Sequence, residues 1–214
     1  MRASGERDMY SVAVLCGGES RRMGRDKKYI PWNGVPMLEH MLSGFPGCDD
    51  LFISARKETT LSFPDIPVVR DAYPLPGPLS GLCSSLSAAG NDLLFTVSCD
   101  VPLVDRRTAD ILLSLIGEHD AALPLTSDGR IHPLAALYRK KTLREAEHLL
   151  RSGILRMRDL IALLDVVYAP SFLFPYGDLT FSNLNTEDDV EKLCRELGRG
   201  TESIQCKEGD FSEG

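Results

Sequence analysis

YSVAVLCGGESRRMGRDKK, residues 10–28, decides how this chain is read. Tyr10 to Cys16 form a short apolar run containing β-branched residues, and Gly17 and Gly18 stop it; that is the pattern of a buried strand running into a tight turn. Five basic residues, Arg21, Arg22, Arg25, Lys27 and Lys28, then crowd into the turn against one acid, Asp26. Glycines at such a place let backbone N–H groups approach phosphate oxygens, and Arg22 and Lys27 add charge, one as a planar fork and one as a point. A strand end and a solvated basic face are the bland alternatives. Two common glycine loops are excluded by spacing. A P-loop needs G-x-x-x-x-G-K-[ST], but Arg22 and Met23 stand five residues after Gly17 and Gly18, and Gly17, Gly18 and Gly24 do not make G-x-G-x-x-G.

Working outward, strand and helix patterns alternate. Strands are expected at Leu51–Ser54, Val68–Asp71, Leu93–Ser98, Ala121–Leu125 and Pro133–Tyr138. Helices are expected from Pro36 to about Gly44, from Pro78 to Gly90, after Asp105, over Thr142–Arg151, over about Arg156–Leu164, and from Thr186 to Gly198. Leu93–Ser98 is almost wholly apolar, so both its faces must be covered, as in a parallel sheet flanked by helices. The alternation predicts a single α/β domain over residues 10–198 with a doubly wound, mainly parallel sheet. Residues 1–9 read as a flexible leader and 199–214 as a disordered tail.

The whole sequence has 214 residues, 43% hydrophobic and 26% charged, which suits one self-sufficient core. Its net charge of −7 argues against electrostatic binding to nucleic acid or a membrane surface. The basic cluster in an acidic chain points instead to a small polyanion. Six cysteines show no C-x-x-C pair and no zinc spacing with the four histidines. The first apolar run comes too late and is too short for a signal peptide, and no stretch reaches transmembrane length. A reducing, cytoplasmic setting is expected.

In a parallel α/β sheet the ligand site lies beyond the carboxyl ends of the strands. Besides the glycine loop, Ser98-Cys99-Asp100-Val101-Pro102 falls there, and a carboxylate at that place is set to hold Mg²⁺ between phosphate oxygens. A lone aspartate there equally suits a helix cap, but Asp105 already serves that purpose.

Taken in order, these segments resemble the molybdenum cofactor guanylyltransferase family. Its pattern L-x-G-G-x-S-x-R-M-G-x-D-K matches Leu15 to Lys27 at every defined position. Asp71, Gly77-Pro78-Leu79-x-Gly81, Cys99-Asp100-x-Pro102, His132-Pro133 and Asn183-x-Asn185-Thr186 match further along. The resemblance implies a Rossmann-like nucleotidyltransferase fold and transfer of GMP from GTP to molybdenum-loaded molybdopterin, releasing pyrophosphate. It implies nucleotide contacts by Leu15, Cys16, Gly17, Gly18, Lys27, Asp71 and Asp100, with Asp100 holding Mg²⁺. Arg22, Gly77, Gly81, Asn183 and Asn185 would face the pterin or the metal region, and Arg22, Lys27 and Asp100 would carry catalysis. Contact with the molybdenum-insertion protein and with cofactor-receiving enzymes is implied as well. Family members often have Ala at Cys16, and many have Asn near Ser54, which leaves guanine selection at that position open.

The chemistry agrees without the family. A phosphate monoester with a second pKa of about 6 is mostly dianionic at neutral pH and needs no general base. It needs relief of repulsion between anions, and in-line positioning. Rival readings are cytidylyl transfer to the same cofactor, nucleotidyl transfer to a sugar phosphate, and a non-catalytic nucleotide-binding module. A thiol hydrolase built on Cys99 and His132 is disfavoured, because no oxyanion motif accompanies them. His132 is assigned no chemical role.

Overall fold

The computed structural model describes residues 9–16, 31–59, 61, 63, 65–73 and 75–198. The glycine loop with Gly17, Gly18, Arg22 and Lys27, the expected tail, and the expected leader apart from Met9 lie outside those residues.

All five residues of β1 (Ser11–Leu15) are buried. It lies parallel between β4 (Leu51–Ala55) and β6 (Leu93–Ser98), and β5 (Val68–Arg70) continues the parallel set beyond β4. β2 (Pro31–Trp32) and β3 (Val35–Pro36) form a separate hairpin. Its turn residues Asn33 and Gly34 both have positive φ, at 50° and 80°, the conformation that an Asn-Gly hairpin turn supplies cheaply. The seven-stranded sheet has the order β5-β4-β1-β6-β8-β7-β9.

Because side chains alternate along a strand, β1 serves two cores at once. Val12 and Val14 enter the core under α1 (Met37–Ser43), α3 (Arg106–Ile116) and α6 (Glu187–Glu196). Ala13 and Leu15 enter the other, under α2 (Pro78–Ala88), α4 (Leu143–Arg151) and α5 (Met157–Ile161). Phe95 and Val97 of β6 face the first core and Leu94 the second. The doubly wound, helix-flanked sheet expected from the apolar run is therefore present. The helix expected at Arg156–Leu164 is the shorter α5, and the one expected at 142–151 begins with a 3₁₀ turn at Lys140–Thr142.

The sheet departs from full parallelism where the sequence turns back sharply. β7 (Ala121–Leu125) and β8 (Ala135–Arg139) pair antiparallel, and β8 is antiparallel to β6 as well. A connection this short, with Gly129 at φ 82°, joins antiparallel strands only. β9 (Val166–Pro170), which the hydrophobic pattern did not announce, pairs parallel with β7 at the sheet edge, and its last residue is a proline.

Two helix starts, those of α3 and α6, are set by side chains. Asp105 caps α3, its carboxylate accepting from Arg107 N–H at 2.9 Å and Thr108 N–H at 3.3 Å, as its place in the sequence suggested. Asp105→Ala is expected to lower the unfolding free energy by about 1 kcal/mol, seen in urea titration as a smaller midpoint with an unchanged slope.

Candidate active site

The backbone bonds at the ends of β1 bring four strand termini to one level. Cys16 N–H donates to the Ser54 carbonyl at 2.7 Å, and Cys99 N–H donates to the Leu15 carbonyl at 3.1 Å. Asp71 N–H donates to the Ala55 carbonyl at 3.0 Å, which carries the ladder just past β5. The carboxyl edge therefore presents Leu15–Cys16, Ser54–Ala55, Asp71 and Cys99–Asp100 side by side.

On the α2 side of this edge is a small cradle. A methyl group built on Gly81 would lie 3.7 Å from Ser54 Oγ, 3.8 Å from Asp71 Oδ1 and 3.9 Å from a Leu15 methyl. These four residues, distant in sequence, thus surround one space that Gly81 leaves open. Gly77 caps α2 at φ 139° and ψ 169°, a backbone region that only glycine enters readily. Asp71 Oδ1 is buried and has no hydrogen-bond partner among the described residues. Burial raises its carboxyl pKa above the ordinary value, against the opposing charge of Arg56 and with a further push from Glu58. A carboxylate oxygen kept without a donor is costly for the fold and available to a ligand that brings one. The segment behind it is fastened: Ser84 Oγ accepts from Ala72 N–H at 3.0 Å, and the Tyr73 hydroxyl donates to Glu147 at 2.6 Å.

Asp100 lies on the other side of β1. The Ser98 hydroxyl donates to Asp100 Oδ1 at 2.6 Å, and the Asp100 carbonyl accepts from Leu184 N–H at 2.8 Å. That last bond brings the segment Asn183–Asn185 against the turn. Asp189 shapes the segment from α6: its Oδ2 accepts from Asn185 N–H at 2.8 Å and Thr186 N–H at 2.9 Å. Burial works against the ionised form of Asp189, yet these donors hold its carboxyl below the ordinary range.

Beside Asn183 opens a cleft of about 350 Å³ between the β7–β8 connection and α6, walled by His132, Phe181, Arg130 and Lys192 among others. The His132 ring stacks on Phe181 at 4.8 Å, and burial, aided by Arg130, pulls its pKa below the ordinary value. His132 therefore rests against an aromatic partner.

Among the described residues no group of three or more His, Cys, Asp or Glu is gathered as a metal cage, and no helix is long and apolar enough to cross a membrane. A single carboxylate at a phosphate-binding edge is the usual protein share of a Mg²⁺ site, the other ligands being substrate phosphates and water, so Asp100 fits that ion. The structure thus brings Leu15, Cys16, Asp71 and Gly81 together, and separately Asp100 with the 183–185 segment. Ser84 and Glu147 support the cradle without having been signalled by any motif.

Solved structures share this fold. A solved structure described as molybdopterin-guanine dinucleotide biosynthesis protein A from Archaeoglobus fulgidus superposes with a TM-score of 0.73 over 88% of this chain and 99% of its own, at 23% identity. A 2-C-methyl-D-erythritol 4-phosphate cytidylyltransferase from Thermus thermophilus gives 0.64 over 87% and 97%, at 18% identity. At such identities the likeness establishes the fold alone. The family model for the MobA-like NTP transferase domain matches residues 12–167, and the chain belongs to that family. A protein of Bacillus subtilis named probable molybdenum cofactor guanylyltransferase is 32% identical over 186 residues, covering 84% of this chain and 92% of its own.

Gly81 gives a prediction with opposite signs for stability and binding. Gly81→Ala removes a helix-interior glycine and meets only ordinary contacts, so the free protein is expected to gain about 0.5–1 kcal/mol. The methyl occupies the cradle, so nucleotide affinity is expected to fall about tenfold or more. Thermal unfolding and a nucleotide titration of the same variant check both.

Proposed function

We propose that this chain transfers GMP from GTP to molybdenum-loaded molybdopterin, forming the guanine dinucleotide of the cofactor and releasing pyrophosphate. The observation that carries the reading is the partnerless Asp71 oxygen facing the Gly81 opening, on the same sheet edge as Asp100, in a member of the MobA-like family.

On this reading the nucleoside lies in the cradle, with sugar or base N–H and O–H groups donating to Asp71; Gly81, which the resemblance assigned to the pterin side, lies against Asp71 and leaves room for the nucleotide instead. The triphosphate runs along the strand ends towards the sequence segment that holds Gly17, Gly18, Arg22 and Lys27. Asp100 holds Mg²⁺, which when bound neutralises phosphate charge and orients the triphosphate. The acceptor comes from the Asn183–Asn185 side. Its phosphate oxygen forms a bond to the α-phosphorus, the bond from that phosphorus to the bridging oxygen breaks, and pyrophosphate leaves with the electron pair. No proton has to be removed from a dianionic nucleophile, which suits a site without a catalytic histidine. The residues' work is electrostatic and positional: Lys27 and Arg22 offset the charge of two anions brought together, and the fixed Asp100 turn sets the line of attack. The same reading places the protein in the cytoplasm, taking its labile acceptor from the molybdenum-insertion protein and passing product to cofactor-receiving enzymes.

Asp100→Ala is expected to fold with an unchanged circular dichroism spectrum and to release no pyrophosphate from GTP and acceptor. With Mg²⁺ present, GTP at a hundred times its dissociation constant stabilises the unaltered protein by about 2.7 kcal/mol, a shift of roughly 5–10 °C. The same shift with CTP and not GTP moves the assignment to cytidylyl transfer. Full turnover in Asp100→Ala overturns it.

A further inference from the structure

The Asp100 turn is held from a second direction, by a side chain no motif singles out. His40 lies in α1, and its Nε2 is 2.8 Å from the carbonyl oxygen of Pro102, two residues beyond Asp100. A carbonyl oxygen only accepts, so Nε2 carries the proton and donates. The ring is steadied by Trp32, whose indole centroid lies 6.2 Å away at 55° and which is itself buried. The end of α1 is tied to the same region again: Arg106 N–H donates to the Gly44 carbonyl at 3.0 Å, and the Arg106 guanidinium to the Pro46 carbonyl at 2.8 Å.

We propose that His40 is a positioning residue for the Asp100 carboxylate, fixing the turn that presents it to a nucleotide-bound divalent cation. The proposal rests on the nucleotidyltransferase reading above. Met37, Leu38 and Met41 already bury the inner face of α1, so the helix does not depend on His40 for attachment. What the imidazole adds is a fixed point on the turn: from Pro102 back to Asp100 runs a single short stretch of backbone, whose near end is set by Cys99 N–H on Leu15. With both ends pinned, and the Ser98 hydroxyl on one carboxylate oxygen, the freedom of the carboxylate is narrowed. Released at Pro102, the turn keeps its place in the core, since Val101 and Pro102 are buried, but loses the constraint on the carboxylate's aim.

The test uses the full chain and the variants His40→Ala and His40→Gln, the second offering an amide N–H at similar reach. Mn²⁺ binding in the presence of GTP is read from the free-ion electron paramagnetic resonance signal, beside the Mg²⁺ requirement for pyrophosphate release and the thermal midpoint. His40→Ala is expected to weaken Mn²⁺ binding and to raise the Mg²⁺ concentration for half-maximal rate about tenfold, a size typical of lost support behind a metal ligand. The KM for GTP at saturating metal is expected to stay the same, and His40→Gln to recover most of the loss. Unchanged Mn²⁺ binding in His40→Ala, or a lower midpoint in both variants without a metal effect, overturns the positioning role while leaving the proposed function standing. Absence of GTP-dependent Mn²⁺ binding in the unaltered protein sinks both.

Discussion

Two backbone hydrogen bonds at the exit of β1, Cys16 N–H to Ser54 and Leu15 carbonyl from Cys99, carry the candidate site. They extend the parallel ladder one step past the regular strands, so that β4, β1 and β6 release their chains at one height. In a parallel sheet every strand points its carboxyl end the same way, and side chains that leave there meet although the residues are far apart in sequence. Asp71 and Asp100 owe their common edge to this alignment. A slip of one residue in β1 would move Val12 and Val14 to the wrong core, so the hydrophobic pattern that fixes the register also fixes the site.

The cradle and the Asp100 turn are built in opposite ways. Around Asp71 the structure leaves things undone: an oxygen without a donor among the described residues, a helix glycine where a methyl group would just fit, a glycine cap in a backbone region that other residues rarely enter. Each lowers stability, and each makes sense if a nucleoside completes it. Around Asp100 the structure leaves little undone. β1, the 183–185 segment and α1 all reach the turn with hydrogen bonds. A recognition pocket gains by being incomplete until its ligand arrives, whereas a metal ligand works by having one position before the ion arrives.

Legibility in the sequence followed the range of the physics. β1 and β6 announced themselves because burial on both faces demands continuous apolar residues, and Asp105 because a cap acts within three residues. The antiparallel insertion was visible only as a turn, since the order of strands is not a local property. β9 escaped notice because an edge strand with a proline and half-exposed side chains lacks the apolar run that reveals a central one. Asp71, Gly81 and Asp100 could be named from motifs, but their division into a cradle and a turn could not. His40, Ser84 and Glu147 left no signal, because each acts through a backbone group or tyrosine hydroxyl between 12 and 74 residues away, and side chains of these types occupy many helices for unrelated reasons.

The absence of a general base from the reading has a structural consequence. Where a proton must move, a site needs a titratable group within hydrogen-bond reach, and its pKa becomes the quantity to tune. Where two anions must only be brought into line, fixed charge and fixed geometry do the work, and reorganisation is the main thing to avoid. Asp189 fits that demand: a carboxylate held ionised by backbone donors, serving to shape the segment that presents Asn183 and Asn185 rather than to react. His132, its pKa drawn below the ordinary value by burial, fits it too. If a nucleoside binds at this edge, selectivity falls to shape, reach and the one carboxylate oxygen of Asp71 that has no partner among the described residues.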